Sequence, residues 1–188
     1  MSEAESDGTV SNSAEELAFD RVALTGTPGT GKTSVAERVA ERLGIEVIHL
    51  NDRIREEELY TGRDEERDSL IADIDAVREH LGDWSGLVDS HLAHQLDAEA
   101  VIVLRCAPDE LTERLENRGE PPEKAAENAE SEALDIVLSE AVRKHGEGVV
   151  YEIDTTGRTV EDVADDVVAV LRGEREPAAG IVDFTGAL

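Results

Sequence analysis

Eight consecutive residues, Gly26-Thr27-Pro28-Gly29-Thr30-Gly31-Lys32-Thr33, fit the pattern G-x-x-x-x-G-K-[ST] without a gap. Each type has a chemical reason to be there. Glycines let backbone N–H groups wrap around phosphates, and a helix N-terminus adds positive potential. Lys32 can reach the outer phosphates of a nucleoside triphosphate, and the Thr33 hydroxyl can ligate Mg²⁺. The backbone and side chains of Gly29, Thr30, Gly31, Lys32, Thr33 and Ser34 are the expected nucleotide-binding set. An apolar run, Arg21–Thr25, precedes the motif and a helical spacing follows it, which is the context that gives the pattern meaning. The expectation is a chain that binds a nucleoside triphosphate.

Further candidates lie downstream. Leu87-Val88-Asp89 is an apolar strand ending in a carboxylate, suited to the second contact of the magnesium ion. His91 and His94 follow, and spacing alone leaves two readings open: a surface pair, or His91 facing the phosphates. Asn51-Asp52-Arg53-Ile54-Arg55 opens a short helix, where an arginine could clamp a phosphate bidentately. The run Arg55-Glu56-Glu57-Glu58 reads equally as a solvated charged face. Arg114 and Arg118, four apart, share one helical face just before Gly119 and the Pro121-Pro122 pair. That outline suits either a small lid closing on a triphosphate or surface decoration balanced by Glu110.

The elements that must position these residues alternate. Strands are expected at Arg21–Thr25, Glu46–Leu50, Gly86–Asp89, Val101–Cys106 and Val149–Ile153. Helices are expected over 33–43 and from Asn51 as cap to about Glu58. Others are expected over 70–81, from Pro108 to Arg118, over about 123–145, and to Leu171 from a capping box at Thr159 and Asp162. Five strands alternating with helices argue an α/β fold, a five-stranded parallel sheet covered on both faces. Ligands in such folds bind beyond the carboxyl ends of the strands. Residues 1–19 read as a disordered acidic lead-in, 20–172 as one domain, and 173–188 as a tail whose Ile181–Phe184 end could dock on the body.

Composition narrows the partners. The 188 residues hold 18 basic and 45 acidic side chains, a net charge of −27. Setting aside the first twenty residues, which hold six acids and no base, still leaves −21 on the body. Such a surface excludes non-specific nucleic-acid binding through a basic face and attachment to an anionic membrane. The chain has no long apolar run and no apolar core at its start, so neither a membrane span nor a signal peptide is expected, and a cytoplasmic location is. A single cysteine, Cys106, leaves no internal disulfide or cysteine-cluster zinc site. Three lysines against fifteen arginines, with 3% aromatic residues, match the composition of salt-loving archaea.

Several of these segments resemble the adenylate kinase isoenzyme 6 family, which includes the coilin-interacting nuclear ATPase and archaeal relatives. The P-loop, the Asn51-Asp52 helix with Arg55, Glu57-Glu58-Leu59-Tyr60, Asp64-Glu65 and Asp89-Ser90-His91 carry the resemblance. So do Val103-Leu104-Arg105, Glu113–Gly119 and the stretch Lys124, Glu127, Asn128, Glu132, and together they span roughly residues 21–172. The resemblance implies a nucleoside monophosphate kinase fold with an acceptor-binding segment at about 51–82 and a short lid at about 118–124. It implies the reaction of Mg-ATP with AMP to give two ADP, together with ATP hydrolysis. It also implies a role in small ribosomal subunit maturation, in contact with a platform protein of that subunit. By this match Asp52 and Arg55 would serve the acceptor and Asp89 the metal. His91 would stand near the transferring phosphoryl, Arg114 and Arg118 would belong to the lid, and Thr155 would pass the adenine. Typical adenylate kinases carry an arginine just after the third strand, where this chain has Ser90-His91-Leu92. Fewer cations around a developing phosphoryl charge imply slower transfer.

Overall fold

Strand β1 (Arg21–Thr25) is an apolar run buried on both sides, and its position in the middle of the sheet follows from that. The structure is a computed structural model that describes residues 16–187. Parallel strands flank β1: β5 (Gly86–Asp89) on one side with β2 (Val47–His49) beyond it, and β6 (Ala100–Arg105) on the other with β7 (Val150–Asp154) at the edge. The sheet order β2-β5-β1-β6-β7 is the five-stranded parallel arrangement expected. The chain leaves β1 toward β2 on one side and leaves its neighbour β5 toward β6 on the other, so the crevice of the fold opens at the carboxyl ends of this pair.

Helices α1 (Lys32–Leu43) and α7 (Val160–Leu171) cover one face. Their core is made by Val35, Val39, Val163 and Val167 packed on Leu24, Leu87 and Leu104. The capping box is formed: Thr159 accepts from the Asp162 amide, and the Asp162 carboxylate answers the Thr159 amide. The other face holds α3 (Ile74–Leu81), a 3₁₀ turn at Ala93–Gln95 and α6 (Ile136–His145), with Val77, Leu96 and Leu138 in the core. Helix α4 (Pro108–Asn117) pairs with α5 (Pro122–Ala133) over a small core of Cys106, Leu111, Leu115 and Ala125. The link between them, residues 118–121, falls within the expected lid.

Four expectations change. The segment expected as one helix over 70–81 is a hairpin strand followed by a shorter helix. β3 (Tyr60–Asp64) pairs antiparallel with β4 (Ser69–Ala72), and Asp73 then caps α3 by accepting from the Ala76 amide at 3.1 Å. The helix expected over 123–145 is two helices, because Asp135 takes a left-handed conformation (φ 53°) and ends the run. Arg105 holds that break, donating to the Glu132 carbonyl and to the Asp135 carboxylate. Asn51 is not a helix cap: α2 (Leu50–Glu56) begins one residue earlier, and Asn51 accepts a hydrogen bond from Ser90 Oγ at 2.8 Å.

The fourth change concerns the lead-in. Residues 1–15 of the lead-in lie outside the described residues, but Leu17 and Phe19 pack on the core, Phe19 edge-on to Tyr151. The tail does dock. Ala178 bridges in parallel to Tyr151, donating to the Val150 carbonyl at 3.0 Å and accepting from the Glu152 amide at 2.8 Å. The amides of Ile181 and Val182 donate to the buried Glu152 carboxylate, and the Phe184 ring lies 5.4 Å from the Arg105 guanidinium. Capping the open edge of β7 in this way satisfies backbone groups that would otherwise form an unpaired edge.

Candidate active site

The phosphate loop leaves the carboxyl end of β1 and turns into α1. Gly26 (φ 143°) passes so close to the sheet that a side chain there would collide with the Leu104 carbonyl oxygen. Gly29 (φ 95°) lies against Leu111 and Leu115, with no room for a Cβ. Gly31, left-handed, stands at the N-cap of α1 without a side chain to cap it, so the first-turn N–H groups face outward as an anion site.

A cavity of about 200 Å³ opens over this turn, lined by Pro28, Gly29, Gly31, Lys32, Thr33, Ser34, Asn51, Asp89, His91 and Arg118. Sequence reasoning named eight of these ten. Inside it Lys32 Nζ donates to the carbonyls of Gly26 (2.9 Å) and Thr27 (3.0 Å). Burial lowers its pKa to about 8, against the pull of the Asp89 and Glu132 carboxylates. An anionic phosphate would restore its full charge. His91 is lowered to about 4 by burial, with Lys32 adding repulsion, so at neutral pH it is an uncharged imidazole.

Thr33 and Asp89 line the same cavity. One hydroxyl and one carboxylate suit Mg²⁺, which keeps several waters and binds through few protein oxygens together with substrate phosphates. Asp89 is 5% exposed and its Oδ2 lies 3.0 Å from His49 Nδ1, which fixes the carboxylate's direction. Among the described residues no cluster of three or more His, Cys, Asp or Glu could hold a metal by itself. When bound, the ion would neutralise developing phosphoryl charge.

Two more cavities adjoin. One of about 240 Å³ is lined by Thr30, Gly31, Ser34, Arg114, Arg118, Thr155, Arg158 and Val160 among others, so Arg118 faces both it and the phosphate cavity. Arg114 is committed elsewhere, donating to Thr155 Oγ1 (3.3 Å), the Thr155 carbonyl (3.2 Å) and Glu110. The other cavity, of about 750 Å³, shares Pro28, Asn51 and His91 with the first and extends to Arg67, Lys124, Asn128, Leu134 and Val137. His91 thus stands where the two meet.

Asp52 and Arg55 line none of these three cavities. They face each other on exposed α2, and Arg55 also donates to the Asn51 carbonyl at 3.3 Å. Sequence reasoning missed His49, Asn51 as a lining residue, Arg67 and Arg158. The signal for His49 was available only through register, since it pairs with Asp89 across β2 and β5.

Comparisons with known proteins give the chain's family and fold relatives. The AAA domain family matches residues 22–135. A protein of Natronomonas pharaonis named "Putative adenylate kinase" is 63% identical over 166 residues, covering 88% of this chain and 98% of its own length. The protein of the same name from Halobacterium salinarum is 59% identical over 167 residues with the same coverage. That of Methanocaldococcus jannaschii is 39% identical over 170 residues, covering 88% and 93%. Among solved structures, shikimate kinase from Bacteroides thetaiotaomicron superposes with a TM-score of 0.57 at 18% identity, covering 82% of this chain and 99% of its own. A gluconokinase from Sinorhizobium meliloti gives 0.53 at 19%, covering 82% and 93%. These two share the fold. On the matched domain and the relatives along most of its length, the chain belongs to the AAA domain family and to the group of archaeal proteins that carry the adenylate kinase name.

Proposed function

We propose that this protein is a nucleoside monophosphate kinase that transfers the terminal phosphoryl group of Mg-ATP to AMP, giving two ADP. One observation carries the reading: the phosphate cavity and a larger second cavity meet at His91, Asn51 and Pro28. A donor held by the loop and an acceptor in the second cavity would bring their phosphates together there. Catalysis of this kind is positioning and charge neutralisation, with no covalent intermediate on the protein. Lys32 and Arg118 supply positive charge, Thr33 and Asp89 would hold the metal, Thr155 and its neighbours pass the adenine, and His91, uncharged at neutral pH, adds no cation of its own. Arg55, which lines neither cavity in this conformation, would reach the acceptor phosphate only by leaving Asp52.

A second reading is an ATP-hydrolysing switch of the isoenzyme 6 kind, acting in small ribosomal subunit maturation. It is favoured by the second cavity's cations, both already paired with carboxylates: Lys124 with Glu120 at 3.1 Å, and Arg67 with Glu127 at 3.4 Å. An acceptor phosphate must compete for them. Nucleotide turnover in molar KCl separates the two. Two ADP formed per ATP, strictly dependent on AMP, supports the kinase. Phosphate release indifferent to AMP supports the switch and overturns the first reading.

A further inference from the structure

We propose that Glu132 is a positioning residue of the phosphate loop, reaching from the end of α5 to hold Thr27 and, through Thr27, the curvature of the loop around Lys32. It deepens the reading above and depends on it only for the identity of the nucleotide. Glu132 is 2% exposed, and both of its carboxylate oxygens are engaged. Oε1 accepts from Arg105 Nε at 2.7 Å and from the Cys106 amide at 3.1 Å. Oε2 accepts from Thr27 Oγ1 at 2.5 Å.

Thr27 is the hub of the loop. Its carbonyl receives the Thr30 amide (3.3 Å), the Thr30 hydroxyl (2.9 Å) and Lys32 Nζ (3.0 Å). When Lys32 turns toward a phosphate, the loop gives up its bonds to the Gly26 and Thr27 carbonyls. The Thr27–Glu132 bond does not involve Lys32 and persists. A buried carboxylate holding a hydroxyl is a strong, directional contact. Burying a carboxylate is costly unless it is paired, and Arg105, itself 1% exposed, pairs it. The anchor comes from the helix that also carries Lys124 and Asn128 into the second cavity. The donor loop and the acceptor wall are therefore one hydrogen-bonded unit.

The test is a double-mutant cycle on binding, not turnover, with a non-hydrolysable ATP analogue titrated calorimetrically in molar KCl. Thr27→Val removes only the hydroxyl and should raise the dissociation constant about tenfold, as loss of a bond to a charged group does. Glu132→Gln keeps a partner for Arg105, weakens the grip on Thr27, and should raise it about threefold. In the Thr27→Val background Glu132→Gln should add nothing. Val167→Ala, a core truncation in α7, serves as the stability control: it should lower the melting temperature and leave the dissociation constant unchanged. Additive losses, or a Glu132→Gln protein that melts early and binds as tightly as wild type, would reduce Glu132 to a structural role and overturn the proposal. Wild-type protein that fails to bind the analogue would overturn the nucleotide reading together with it.

Discussion

At the scale of single residues, the phosphate side of the site follows from the primary structure almost unaided. Glycine spacing, one lysine and one hydroxyl define where phosphates go, because backbone amides at a helix start need no tertiary help to attract them. Lys32→Ala should abolish nucleotide turnover of either kind, measured as ADP or phosphate release, since both require the outer phosphates to be held. The proposed acceptor side is different. Arg55 and Asp52 form an ion pair with side chains 63% and 57% exposed, and pairs so open contribute little stability. The guanidinium can therefore exchange a carboxylate for a phosphate at small cost. Arg55→Ala should raise the KM for AMP, with ADP formation at low AMP falling about 10²-fold, as expected for a lost charge-assisted clamp. Steady-state kinetics varying AMP at fixed ATP would show it, and an unchanged KM would remove Arg55 from the acceptor site. Spacing could not reveal His49 or Glu132, since each acts on a partner 40 or 105 residues away.

Among the elements, those with a strong local signal were legible in the sequence. β1 with its loop, α1 ending at Gly44, and α7 behind its capping box all lie where local chemistry puts them. The hairpin β3–β4 was not, because Leu70 and Ile71 fall in helical phase with Ile74, Val77 and Leu81. Ile71 is in fact 50% exposed, and the Asp73 cap marks where the helix really begins. The break between α5 and α6 is tertiary in origin, imposed by buried Arg105 on Asp135, so no periodicity could announce it. One element carries a pH dependence. The turn after β5 buries His94 between Thr25 Oγ1 and Glu140, each at 2.9 Å, with Lys144 and His145 nearby on α6. Burial, outweighing the Glu140 carboxylate, holds its pKa below the ordinary 6.5. The folded state then binds this proton less readily than the unfolded chain, so the stability it contributes is present above pH 6.5 and is lost as pH falls below it. Melting temperature should drop on acidification from pH 6.5, and a His94→Asn protein should show a shallower drop over the same range.

The whole molecule is governed by its charge. With −27 on 188 residues, the folded chain gathers like charges that the unfolded chain holds further apart. Its arginines are spent as local neutralisers: Arg42 joins α1 to Asp165 and Glu161 of α7, and Arg158 and Arg175 share Asp166. Those pairs weaken as salt rises, which alone would make salt destabilising. The excess of acids over bases reverses that sign, because unpaired carboxylates outnumber pairs and their repulsion is screened in the same way. At about 1 M salt the Debye length is about 3 Å, against about 10 Å at 0.1 M, so dilution extends repulsion from nearest neighbours to whole faces of the molecule. The acidic, lysine-poor composition accords with the 59–63% identity to two relatives from halophilic archaea. The melting temperature of the apo protein should therefore fall steadily as KCl is lowered from molar to 0.1 M, followed by circular dichroism. Magnesium-free nucleotide adds negative charge, so it should stabilise the fold less at 0.1 M than at 1 M. A melting temperature that is flat or rises on dilution would show that the ion pairs, not the unpaired carboxylates, set the response of this surface.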